Sequence, residues 1–198
     1  MHTNIVTHNA KAVRASIAVV DRVQAGDLGR PTPCSDWNLA ELLAHMIAQH
    51  HGFAASAAGA GADLAVWQTR PLDPDPVAEY RRAAEEVIAA FAEDGVLDRQ
   101  FAIPEVTKDA GFPAEIAISM HTVDYLVHAW DVARAIDVEF AADLDAVRAT
   151  APLVAMVPDG PERLEPGSAF RPAVPVEPGA GEFDSMLAAL GRDPRWSR

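Results

Sequence analysis

Cysteine is nearly absent: Cys34 is the sole thiol among 198 residues, so no disulfide can form within the chain and its core must hold the fold. The opening residues, MHTNIVTHNAKAV, have neither the basic start nor the apolar stretch of a secretion signal. A reducing, cytoplasmic setting is therefore expected. Long apolar runs are missing too. A membrane span needs roughly 18 to 20 consecutive apolar residues, and the richest stretch, around Met120, is broken by His121, Asp124 and His128. No membrane association is expected. Basic residues are scarce, with 16 Lys and Arg against 29 Asp and Glu and a net charge of -13. Such a field repels phosphate backbones and anionic headgroups, so no nucleic-acid partner is expected.

The chain does hold enough apolar material to fold. Hydrophobic residues make up 49% and charged residues 23% of it, an ordinary globular composition, and the length suits one domain over residues 1–198. Helical spacing of apolar residues runs from Ile5 to about Val23. A second helix is predicted from near Trp37 to about Ala57, with Ser35 or Asp36 as its N-cap. There Leu39, Leu42, Leu43, Met46, Ile47, His50 and Phe53 share one face. Pro76 suits the first turn of a third helix, PVAEYRRAAEEVIAAF, which Gly95 closes. Residues 97–112 show no helical period and read as a loop or a short extended piece. From Pro113 to about Ile136 the chain is apolar nearly all round, as befits a central helix buried on most sides. A further helix is predicted from about Asp143 to Met156. Seven of the fifteen prolines lie between Pro158 and Pro194, so residues 157–198 are expected to be a mostly extended tail. Phe170, Val174, Val176 and the short helical run FDSMLAAL would pack it on the bundle.

On the central helix His121, Asp124, His128 and Asp131 are spaced by three, four and three residues, which stacks them in one polar stripe along an apolar rod. Buried imidazoles and carboxylates are costly unless they are hydrogen-bonded or bound to metal. Asp124 and His128, one turn apart, can share a cation, and facing helices of bundles commonly build such sites. A hydrogen-bonded Asp/His pair without metal fits the same spacing. The third donor is open on spacing alone: His45 points about 130° from the centre of its helix's apolar stripe, whereas His50 lies on it.

The segments PTPCSDWNLAELLAHM, VDYLVHAWDVARA and FRPAVPVEPGAGEFDSMLAALGRDPRW resemble small actinobacterial members of the DinB-like superfamily that contains the N-terminal domain of mycothiol-dependent maleylpyruvate isomerase. The similarity covers nearly the whole chain. It implies an all-α fold, a DinB-like up-and-down four-helix bundle with a short C-terminal helix and a Pro-rich tail. It also implies a metal held by the histidine eight residues after the tryptophan, here His45, and by the acidic residue and histidine of an E-x-x-x-H-x-x-D pattern, here Asp124 and His128. The chain departs from the isomerase pattern in carrying Asp124 where the pattern has Glu, and it is expected to lack the isomerase's second domain. Zinc is the metal expected first, with nickel as the alternative, and the cofactor implied by resemblance is mycothiol.

Asp131 would accept the other ring N–H of His128, or else pair with Arg134 on the surface. His121 is a candidate fourth ligand, a proton shuttle or a polar neighbour. Cys34 precedes a helix N-terminus, where a thiol can become reactive, although packing in a Pro-flanked turn is the simpler account. His50, His51, Arg81 and Arg82 read as packing and surface residues. The leading functional expectation is a metal-dependent transferase or isomerase using a small-molecule thiol. The rival is a non-catalytic metal or small-molecule binding module. A homodimer is compatible with bundle surfaces, but no face is specified.

Overall fold

The first helix, α1 (Ile5–Val20), starts behind Asn4, whose side chain accepts the Thr7 N–H at 3.1 Å. It ends three residues before its apolar pattern does. Val23 is still in the core but belongs to the turn leading to a short 3-10 segment, Ala25–Asp27. The computed structural model describes residues 4–34, 37–107, 111–165 and 167–198.

The second helix, α2, spans Leu39–Ala57. Ser35 and Asp36 lie outside the described residues, and the N-cap is Asn38 instead. The Glu41 N–H donates to Asn38 Oδ1 at 3.0 Å, and the Asn38 N–H donates to Glu41 Oε2 at 2.9 Å. This reciprocal box satisfies two amides that the first turn leaves free. The connection after α2 makes a 3-10 turn, Leu64–Trp67, that lays the Trp67 ring flat against Gly52. Helix α3 (Pro76–Phe91) has the predicted bounds, with Pro76 in its first turn and Asp75 as cap.

Residues 97–112 hold short extended pieces, one of the two forms the sequence allows. A 3-10 turn at Val96–Asp98 leads into two short antiparallel strands, β1 (Gln100–Phe101) and β2 (Phe112–Pro113), with Gln100 opposite Pro113. This hairpin delivers the chain into α4 (Ala114–Ala135). Two-residue strands are too short to leave a period in the sequence.

Helices α1 and α2 each pack against both α3 and α4, so α1 lies diagonally across the bundle from α2, and α3 from α4. The contacts of His45 with His128 and of His50 with His121 make α2 antiparallel to α4. One face of α4 (Ala114, Ala117, Ile118, Tyr125, Val132) enters the four-helix core. Another (Val123, Leu126, Val127, Trp130) meets α5 (Leu144–Val154) and α6 (Glu182–Ala189) in a second cluster. Two apolar faces explain why the α4 sequence is hydrophobic nearly all round.

The tail crosses the second cluster, with Met186, Leu187 and Leu190 buried in it and Phe170 and Trp196 against it. Arg163, only 3% exposed, stitches the strap together by donating to the carbonyls of Pro158, Arg171 and Ala189. Val176 does not pack as the sequence suggests and is 42% exposed.

Candidate metal centre

The site forms where the second turn of α2 faces the middle of α4. Nε2 of His128 lies 3.3 Å from Asp124 Oδ1, a contact set by the i, i+4 geometry of one helix face. His45 approaches from α2, with its ring 5.4 Å from that of His128 and nearly perpendicular to it. One donor atom from each of His45, Asp124 and His128 falls within 4.8 Å of the others. Two imidazoles and a carboxylate are the donor set that catalytic zinc sites use. The second carboxylate oxygen of Asp124 is buried and has no hydrogen-bond partner among the described residues. A cation between these donors would satisfy that oxygen, so the residues fit a divalent ion.

Each donor is conditioned by its surroundings. Trp37, just ahead of α2, covers His45 with ring centroids 4.5 Å apart. Its position is fixed by Thr32, whose hydroxyl donates to the carbonyls of Cys34 and Trp37. Burial, aided by the charges of His128 and Arg192, outweighs the pull of Asp124 and lowers the His45 imidazole to about 4, which keeps it neutral. Burial alone would lower His128 as well, but the carboxylates of Asp124 and Asp131 win and raise it to about 9. Burial pushes Asp124 upward, and the imidazoles led by His128 more than reverse this, leaving it at about 2.

Asp131 is wholly buried and takes the His128 Nδ1–H at 2.9 Å. With Nδ1 so engaged, Nε2 is the nitrogen turned toward Asp124. The alternative pairing of Asp131 with Arg134 does not occur, because Arg134 donates to the Trp196 carbonyl. The cation beside Asp131 is Arg192, at 3.3 Å. Sequence spacing offered no hint of it.

His121 stays apart from the three donors. Asn9 Nδ2 donates to its Nδ1 at 2.8 Å, so the ring proton sits on Nε2, which faces His50 Nδ1 at 3.2 Å. Both nitrogens are used within the core, and the polar stripe on α4 thus divides into one core histidine and three site residues. His50 is fully buried and stacks on Tyr125 at 3.9 Å. On the surface His51 pairs with Glu86, Arg81 with Asp21 and Arg82 with Asp73. Cys34 is half-buried.

A cleft of about 1000 Å³ opens beside the centre. Trp37, Glu41 and His45 form one wall, and the connection from Thr69 to Asp75 with the first turn of α3 forms the other. Of the three donors, His45 is the one on its wall. Among the described residues no helix is long and apolar enough to cross a membrane.

Comparison with known proteins agrees with this architecture. Two uncharacterized proteins of Mycobacterium tuberculosis, from two strains, are each 31% identical over 195 residues, covering 93% of this chain and 96% of their own. The crystal structure of the mycothiol-dependent maleylpyruvate isomerase superposes with a TM-score of 0.55 over 76% of this chain and 68% of that one, at 12% identity. A histidine-to-alanine mutant of that enzyme superposes with the same score at 10% identity. At such identity the likeness is one of fold. The mycothiol maleylpyruvate isomerase N-terminal domain family matches residues 10–133, a span that includes all three donors. The chain belongs to the mycothiol maleylpyruvate isomerase N-terminal domain family.

Proposed function

We propose that the chain is a divalent-metal enzyme that uses a low-molecular-weight thiol, mycothiol by kinship, in a thiol transfer or a thiol-assisted isomerisation. His45, Asp124 and His128 hold the metal, zinc in first place and nickel as the alternative. The observation that carries this reading is the convergence of those three donors within 4.8 Å, with His45 on the wall of a large cleft. When bound, a divalent ion with three protein donors keeps a position open, lowers the pKa of a thiol there and polarises a carbonyl. The protein's own groups do the rest. Trp37 shields the His45 ring from solvent. Asp131 holds the proton of His128 on Nδ1. The cleft admits a small molecule beside His45.

The rival reading is a non-catalytic metal or small-molecule binding module, and thiol ionisation separates the two. Mycothiol or N-acetylcysteine is titrated by its thiolate absorbance in the presence of zinc-loaded protein, metal-free protein and a His45→Ala variant. The enzyme reading predicts a thiol pKa lowered only by the zinc-loaded native chain. An unshifted titration means a closed site and favours the binding module.

A further inference from the structure

The buried ion pair behind His128 comes from the far end of the chain. At Gly191, after α6, φ is 80°, and an added Cβ would lie 2.4 Å from the Arg171 carbonyl oxygen. That tight turn sends Arg192 back into the protein. Its side chain is 5% exposed, with one terminal nitrogen donating to the Leu190 carbonyl at 3.2 Å and the other 3.3 Å from Asp131 Oδ2. The same Oδ2 accepts the His128 Nδ1–H. Arg192, Asp131 and His128 thus form one hydrogen-bonded line that runs from the tail to a candidate ligand.

A wholly buried carboxylate is expensive without a cation, and one that swings toward another partner would release the imidazole. Partners behind a ligating histidine fix its ring and tautomer, and their loss typically costs roughly 10- to 100-fold in metal affinity. We propose that Arg192 is a positioning residue of the metal centre: it locks Asp131, and through it the ring of His128, so that the docked tail completes the site. This rests on His128 being a ligand, as the proposed function holds.

The test uses the full chain and zinc alone, with Arg192→Met, Arg192→Lys and, as a tail control, Arg134→Met. The control removes the contact with the Trp196 carbonyl but leaves Asp131 untouched. Zinc affinity is measured by competition with a chelator. The His128 Nδ1–H proton is followed by NMR in metal-free protein, where a firm bond to Asp131 protects it from exchange. Arg192→Met should weaken zinc binding roughly 10- to 100-fold and lose the protected proton. Arg192→Lys should fall between, since an ammonium supplies charge without the planar fork. Arg134→Met should behave as the native chain does.

The proposal is overturned if Arg192→Met keeps both affinity and proton, or if Arg134→Met loses as much, which would assign the effect to tail docking in general. Should Arg192→Met not fold, Arg192→Lys decides, and native-like affinity and proton protection in it overturn the proposal. If the native chain binds no zinc, the functional reading fails by itself, and the Nδ1–H proton alone decides the role of Arg192.

Discussion

His45 and His50 lie less than two turns apart on α2, yet one enters the candidate centre and the other the core. Angular arithmetic placed His50 on the apolar stripe, and it is indeed fully buried against Tyr125 and His121. His45, off the stripe, is only partly covered. Hydrophobic periodicity finds the side chains furthest from water, whereas a ligand with an open position must sit at the margin. Spacing therefore could not select His45, and the family resemblance did. The core histidines carry a testable cost. Burial lowers His121 to about 3 and His50 well below its ordinary value. The unfolded chain then binds more protons than the folded one below about pH 6.5, so their contribution is complete above that value and shrinks as pH falls toward the folded pKa. Between pH 7 and pH 5 His121 alone should cost about 2 kcal/mol. Urea unfolding of metal-free protein should show that loss, reduced in His121→Gln; a difference between the two proteins that does not change with pH would refute the assignment.

At the scale of elements, α3 and α4 were legible almost to the residue, because Pro76 and Gly95 mark turns with their own backbone chemistry and because a helix buried on two faces is apolar nearly throughout. The start of α2 was misplaced because Ser35, Asp36 and Asn38 are all good caps, and only the Asn38–Glu41 box distinguishes among them. The β1–β2 hairpin was too short to leave a period. Gly52 offers a test in which propensity and packing disagree. Alanine within a helix is favoured over glycine by about 1 kcal/mol. Here, however, a Cβ would lie 2.3 Å from the Trp67 ring, a clash that displaces the ring or the helix. Gly52→Ala should therefore destabilise the protein by about 1 to 3 kcal/mol and alter tryptophan fluorescence. A stabilised variant would show that Trp67 is not packed on α2 as described.

For the molecule as a whole, periodicity gave the helices, and the resemblance gave the four-helix bundle and the candidate site. What escaped both was the point where the tail enters the candidate centre, the Arg192–Asp131 pair. No spacing rule connects Arg192 to Asp131 across sixty residues of loop and helix, although the run FDSMLAAL does pack on the bundle as the sequence suggests, with Leu187 and Leu190 buried against α4 and α5. The four-helix bundle is a frame, the tail a strap across its outer face, and the junction of α2 with α4 the proposed metal centre. The proposed function requires this junction to hold a metal ion. The direct test is elemental analysis of protein purified without a metal-affinity tag, comparing the native chain with His45→Ala, Asp124→Ala and His128→Ala. About one zinc or nickel per chain, lost in all three variants, is the predicted result. A native chain that holds no metal even after incubation with zinc or nickel would contradict it.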